Sequence, residues 1–276
     1  MLSMARKAKL PKVSVIVPTF NEEKNIKRLL VSVNNQSYGN IESIVVDDGS
    51  TDKTVIIAKK FATKVYPREH AERSVQRNFG VAKSSGKYVL ILDADMELSP
   101  KVIENCVYKS KSHKLLIIPE KTTGRGFIAT LRKFEREMYE GDQRVEVARF
   151  FDKETFDEFG GYDPKLTGPE DYDLPYRISK KYKIGRIREY LFHHEGELTF
   201  LGLLRKRFYY ANKGAYYAQK HPELLFRQGI LIFRPAYFEN WRKFFQRPFV
   251  GLSFIVIRVF ETLSAGLGYL VAIILK

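Results

Sequence analysis

Apolar and polar positions alternate in blocks along the first hundred residues. Val13-Ser14-Val15-Ile16-Val17 is a short β-branched run ended by Pro18, the pattern of a buried strand. Asn21 or Thr19 is placed to cap the next helix, with Glu22 and Glu23 in its first turn and Leu29, Leu30 and Val33 facing inward. Ile41 to Val46 repeats the strand pattern and ends in Asp47-Asp48-Gly49-Ser50, from which Thr51 and Asp52 lead into a second helical stretch. Val65-Tyr66 marks a third strand, Ser74 to Lys83 a helix, and Tyr88 to Leu92 a fourth strand. Phe127 to Tyr139 has helical spacing, and Arg149-Phe150-Phe151 reads as a strand before the Gly160-Gly161 turn. Strands alternating with helices predict an α/β fold whose sheet is mainly parallel and covered on both faces.

Three polar clusters fall at the C-terminal ends of these strands: Pro18-Thr19-Phe20, Asp47-Asp48 and Asp93-Ala94-Asp95. In an open parallel sheet that edge is where ligands bind. Asp93 and Asp95 offer hard oxygen ligands of the kind Mg²⁺ or Mn²⁺ uses while bridging to substrate phosphates. Taken singly these motifs say little, since Asp-x-Asp is common in loops and Asp47-Asp48-Gly49-Ser50 makes an ordinary turn with a helix cap.

Their order says more. Pro18-Thr19-Phe20-Asn21-Glu22, Val46 to Asp52, Gln76-Arg77-Asn78-Phe79-Gly80, Leu92-Asp93-Ala94-Asp95, Phe159 to Asp163 and Gly168-Pro169-Glu170-Asp171-Tyr172-Asp173-Leu174 follow one another. Over roughly Val13 to His194 this series closely resembles family 2 glycosyltransferases with the GT-A fold, a Rossmann-like mixed sheet flanked by helices. The resemblance implies an inverting transferase of the Asp-x-Asp type that uses a nucleotide-diphosphate-sugar, with UDP or GDP favoured, and Mn²⁺ or Mg²⁺. Pro18, Thr19, Phe20, Glu22 and Asp48 would hold the nucleoside, Arg77 would lie near the donor, and Asp93, Ala94 and Asp95 would meet metal and diphosphate. Asp171 would be the general base, with Glu170 as its neighbour and competitor. His194 would reach the metal, ahead of His193. The Gln-x-x-Arg-Trp motif of the family's processive synthases is missing, so a processive synthase is not expected.

The last quarter changes character. From Leu198 to Lys220 the chain is aromatic and basic with helical spacing, and Phe249 to Leu275 is mostly apolar. The expected division is a catalytic domain over 1–199 and a helical extension over 200–276. Phe249 to Ile257 and Leu263 to Leu275 are each too short for a span, being interrupted by Arg258 and Glu261. Ser253, Arg258, Glu261 and Ser264 share one arc of a helix, and Arg258 and Glu261 can pair at i,i+3. The favoured reading is an interfacial helix rimmed by Arg242, Lys243 and Arg247. A single span, or packing on its own domain or in an oligomer, are the alternatives.

Charge supports that reading. Of 276 residues 44% are apolar and 29% charged, as in a folded protein, but the formal net charge is +15. Residues 200–276 hold 12 Lys/Arg against 3 Asp/Glu, which favours an anionic membrane surface beside the apolar tail. Arg205-Lys206-Arg207 could meet the phosphate of a lipid-linked acceptor. Nucleic acid is not expected, because no helix-turn-helix, zinc or RNA-binding signature accompanies the charge. A lone Cys106 excludes an intramolecular disulfide and suits a reducing compartment. With no signal-peptide pattern after Met1, the expected location is cytoplasmic, peripheral on the membrane. The alternative enzyme class, a metal-dependent nucleotidyltransferase, calls for a Gly-rich basic loop after the first strand, and Pro18 to Glu22 has neither glycine nor a base.

Overall fold

A computed structural model describes residues 10–196, 199–224 and 234–274. The first half is built from β1 (Val13–Thr19), α1 (Ile26–Asn34), β2 (Ile41–Asp47), α2 (Thr54–Phe61), β3 (Lys64–Pro67), α3 (Arg73–Ala82) and β4 (Tyr88–Ile91). After it come β5 (Met96–Leu98), α4 (Val102–Lys109), β6 (Leu115–Ile117), β7 (Glu120–Thr123), α5 (Phe127–Tyr139), β8 (Ala148–Asp152), α6 (Lys153–Glu158), α7 (Glu170–Ser179), β9 (Ile184–Arg186) and β10 (Leu191–His194). Among the described residues, six helices follow: α8 (Phe200–Lys213), α9 (Ala215–Lys220), α10 (Pro222–Leu224), α11 (Pro235–Glu239), α12 (Arg242–Gln246) and α13 (Pro248–Ile274).

The main sheet runs in the order β3-β2-β1-β4-β8-β6-β9. It is parallel except around β8, which lies antiparallel to both β4 and β6. β1 is apolar on both faces because both are covered. Val13, Val15 and Val17 pack toward α1, while Ile16 joins Val46, Val81 and Ile91 on the other side. Helices on both faces of a mainly parallel mixed sheet are the expected GT-A arrangement. A second sheet, β5-β10-β7, was not read from the sequence; its strands have only three or four residues, too few for a periodicity to register.

One local expectation is corrected. Thr19 and Asn21 do not cap α1, whose N-cap position is Asn25. Thr19 still belongs to β1 and bonds Asp47, and Asn21 takes a left-handed backbone (φ 54°) from which its Oδ1 accepts the Thr51 amide at 2.9 Å. The two apolar runs of the tail form one uninterrupted helix, α13, of 27 residues, about 40 Å long at 1.5 Å per residue, as the shared arc of Ser253 to Ser264 requires. By length and composition it could cross a membrane. Leu198, Leu275 and the N-terminal residues 1–9 lie outside the described residues.

α13 packs on α5 and α8. Its polar arc points into the protein: Arg258 donates to Glu135 of α5 at 2.8 Å and forms an ion pair with Glu261 at 2.8 Å, and Glu261 accepts from Arg207 of α8 at 2.8 Å. The i,i+3 pair is therefore present, but buried. Gly268 lets the helices approach closely, since a Cβ there would meet the Phe208 carbonyl oxygen at 2.3 Å. With the charges turned inward, Leu252, Leu263 and Leu267 remain 65%, 61% and 60% exposed on the outer face. Of the expected cationic rim, Lys243 and Arg247 instead engage Glu137.

Candidate active site

The site grows from the C-terminal edge of the main sheet. β1 and β2 are in parallel register, so Thr19 stands beside Asp47 and donates to it at 3.2 Å. Asp47 is used up by its own turn, accepting from Ser50 Oγ at 2.6 Å and Ser50 N at 3.0 Å. Asp48 accepts from the Ala71 amide at 2.7 Å and from Gln76, and faces His70 Nδ1 at 2.7 Å, so it ties down the loop before α3. Phe20, 52% exposed, stands next to His70 with ring centroids 5.9 Å apart, forming an open aromatic wall over that loop. Pro18 is partly covered. Glu22 accepts from Asn25 at 2.8 Å; burial raises its pKa, and Asp95 and Asp93 raise it further.

Past β4, side chains alternate, with Ala94, Met96 and Leu98 entering the core while Asp93, Asp95 and Glu97 stay accessible. Ala94 thus serves packing. At the first turn of α7 stand Glu170 and Asp171. Arg77, wholly buried on α3, joins these elements. Its Nη1 donates to Asp171 at 2.6 Å and Glu170 at 3.2 Å, and its Nη2 to Asp93 at 2.7 Å. The guanidinium thus engages three carboxylates through Nη1 and Nη2. Burial opposes ionisation of Asp93, yet Arg77, Arg149 and Arg73 hold its carboxyl well below the ordinary range. Glu170 goes the other way, raised by burial and by Asp171.

His193 and His194 fall on opposite faces of β10, as successive strand residues must. His193 Nε2 lies 3.1 Å from Asp95 Oδ2, with Nδ1 3.3 Å from Glu120 and 2.7 Å from Arg136. His194 turns to Glu97 at 2.8 Å and Thr123 at 2.8 Å. The imidazole beside the Asp-x-Asp pair is therefore that of His193, while His194 meets the pair through its backbone amide, which donates to the Asp95 carbonyl at 2.8 Å. Burial disfavours the imidazolium, but the carboxylates of Asp95 and Glu120 push the His193 pKa up to about 9.

These donors fit a divalent cation unequally. Both Asp93 oxygens face guanidinium groups, Arg77 at 2.7 Å and Arg149 at 3.4 Å. Among the described residues Asp95 Oδ1 has no hydrogen-bond partner and is buried, a hard oxygen available to a metal or a donor. Arg149, Glu120, Arg136 and Arg73 complete the charged surroundings, and sequence reading missed their part. Arg149 was visible only as a strand residue; the others carry no local signal.

Residues 14–161 match the family described as Glycosyl transferase family 2. The chain belongs to that family. Among relatives, it is 38% identical over 99 residues to the uncharacterized glycosyltransferase YibD of Escherichia coli, covering 34% of this chain and 28% of that one. It is 34% identical over 108 residues to the dolichol-phosphate mannosyltransferase of Pyrococcus furiosus, covering 37% of this chain and 30% of the relative. The chain thus spans less than a third of either curated relative. Among solved structures, the mannosyltransferase PcManGT of Pyrobaculum calidifontis, in complex with GDP-Man and Mn²⁺, superposes with TM-score 0.70. That match covers 95% of this chain and 88% of that one at 17% identity, a likeness of fold.

Proposed function

We propose that the chain transfers a sugar, with inversion, from a UDP- or GDP-linked donor to a hydroxyl or phosphate acceptor, with 1–199 as the catalytic domain and 200–276 as a helical extension. The observation that carries this reading is the convergence of Asp93 and Asp171 on one buried arginine, with Asp171 facing a cavity. Phe20 and His70 provide a stacking wall for a base, and Thr19, Pro18 and Glu22 border it. Asp48 acts by holding the loop that carries His70. Asp95, through its unpartnered Oδ1, with Asp93 and His193 beside it, would hold Mn²⁺ or Mg²⁺. When bound, such an ion supplies positive charge to the departing diphosphate.

Asp171 and Glu170 divide their roles by exposure. Glu170 has a fully buried side chain, whereas Asp171 lines the cavity. Asp171 Oδ1 is held by Arg77, which orients the carboxylate. In the proposed step Asp171 takes the proton of the acceptor hydroxyl as its oxygen bonds to the anomeric carbon. The bond from that carbon to the diphosphate breaks on the opposite face, inverting the configuration.

A membrane surface fits the outer face of α13, which is apolar along its length while its charges are buried. With Arg205 and Lys206 nearby, peripheral attachment to an anionic bilayer, at its cytoplasmic face, follows.

The test is thermal stabilisation by a panel of nucleotide-sugars with and without Mn²⁺, followed by transfer or donor hydrolysis. At least one UDP- or GDP-sugar should raise the melting temperature with Mn²⁺ as mass action requires. A panel that neither stabilises nor is hydrolysed would sink the reading. Sedimentation with phosphatidylglycerol vesicles checks the membrane part; protein left in the supernatant counts against it.

A further inference from the structure

A cavity of about 410 Å³ lies between the catalytic edge and the C-terminal helices. Asp93, Asp171 and His193 line it from the sheet, and Lys206, Arg207 and Ala265 from α8 and α13. Among the described residues, two guanidinium nitrogens of its lining lack a hydrogen-bond partner: Arg149 Nη1 and Arg234 Nε. Both arginines are more than nine-tenths buried, at 5% and 8% exposure. Arg149 is anchored through Nε, which donates to Glu120 at 2.7 Å, while its Nη1 has only Asp93 at 3.4 Å; Arg234 reaches Glu135 through Nη1, at 3.6 Å.

Buried N–H donors left unmade are costly, and a bound group with several acceptor oxygens relieves that cost. A sugar hydroxyl would satisfy one donor without matching the charge. A phosphate or diphosphate matches both, because guanidinium forks pair with its oxygens. Arg73 adds a third cation, held in place by the Tyr210 hydroxyl at 2.9 Å. Lys206 stands exposed at the helix side, with no carboxylate in ion-pair range among the described residues.

What the far side of the cavity adjoins narrows the ligand further. Ala265 belongs to the same helix that presents Leu263, Leu267 and Leu270 outward, and Ala211 and Gly214 of the α8–α9 segment keep the neighbouring wall small. Charge inside and an unpartnered apolar face immediately outside suit one molecule with both characters.

We infer that this cavity receives the phosphate or diphosphate of an amphiphilic acceptor, gripped by Arg149, Arg234, Arg73 and Lys206, with its apolar chain leaving along α13. The inference rests on the reading of the chain as a sugar transferase whose acceptor approaches from the Asp171 side. It names the acceptor class and the residues that select it.

The probes are octyl phosphate, methyl phosphate and octanol, titrated calorimetrically into the full chain in a neutral maltoside detergent. Octyl phosphate should bind at least about tenfold more tightly than methyl phosphate, with octanol undetected. Arg234→Gln should weaken octyl phosphate about tenfold or more. Because Arg234 also faces Glu135, Lys206→Gln at the exposed rim is the second variant, expected to weaken it about threefold. Lys59→Gln, on distant α2, should change nothing. Methyl phosphate binding as tightly as octyl phosphate would mean a soluble phosphate ligand and would overturn the amphiphile. Octyl phosphate binding left unchanged by both Arg234→Gln and Lys206→Gln would overturn the site. Nucleotide binding with Mn²⁺, measured on the same wild-type sample, separates the two readings. If it persists while octyl phosphate fails, only this inference falls; if both fail, the transferase reading falls too.

Discussion

Arg77 and Asp171 meet at 2.6 Å although 94 residues separate them along the chain. The same guanidinium holds Asp93, so α3, the end of β4 and the start of α7 share one buried cation. The position of the proposed base relative to the Asp-x-Asp pair is thus set by one buried side chain.

Replacing Arg77 by methionine should leave three carboxylates without their shared counter-charge. Removing one partner of a buried ion pair costs about 3–5 kcal/mol. Urea unfolding should register a loss of that order, and Arg77→Lys should recover only part of it, because an ammonium cannot span Asp171 and Asp93 together. An unchanged midpoint for Arg77→Met would contradict the bridging role.

Asp171→Asn should lower the rate of sugar transfer by about 100- to 10,000-fold, the range of a lost general base. Nucleotide-sugar binding, followed by thermal shift, should be retained. Glu170→Gln should cost less in rate, since its side chain is fully enclosed. The reverse ranking would move the base to Glu170.

Strand parity makes a sharp comparison on β10. His193→Ala should weaken Mn²⁺ activation, read as the metal concentration for half-maximal rate, more than His194→Ala does. Equal effects would place both histidines outside the metal's reach.

Gly86→Ala tests the opposite end of the sheet. An added Cβ would lie 2.5 Å from Ser14 Oγ, 2.8 Å from Ser14 N and 2.9 Å from Lys12 O. Two of the three are backbone atoms and cannot swing aside. A cost of about 1–3 kcal/mol is expected from such overpacking, measured as a lower urea midpoint with secondary structure retained.

Acid stability should depend on Glu42. Burial raises its carboxyl pKa, but bonds from Ser14 at 2.6 Å, the Ser85 amide at 2.7 Å and the Ser85 hydroxyl at 2.9 Å pull it down to about 2. A carboxylate lowered in the folded state stabilises above its unfolded pKa of 4.5, and the gain disappears as pH falls from there through about 2. Glu42→Gln should be less stable at neutral pH and flatter across that window, as urea midpoints at a series of pH values would register.

Much of this protein was settled locally. Val13 to Val17, Ile41 to Val46 and Tyr88 to Leu92 had to be strands covered on both faces, because their apolar runs leave no side for water. Parallel pairing then obliged Thr19, Asp47 and Asp93 to share one edge, and Phe127 to Tyr139 carried its helix in its own spacing. What no window of sequence contained was which way groups face once distant segments pack. Arg77 lies in a motif, yet only the meeting of α3 with the start of α7 made it a buried clamp on Asp171 and Asp93. His193 and His194 are adjacent, and only the pairing of β10 with β5 decided which one meets Asp95. The polar arc of α13 was legible, but its direction was not. Arg258 turned inward because Glu135 waits on α5, 123 residues earlier, and that long-range pairing left the apolar face outside.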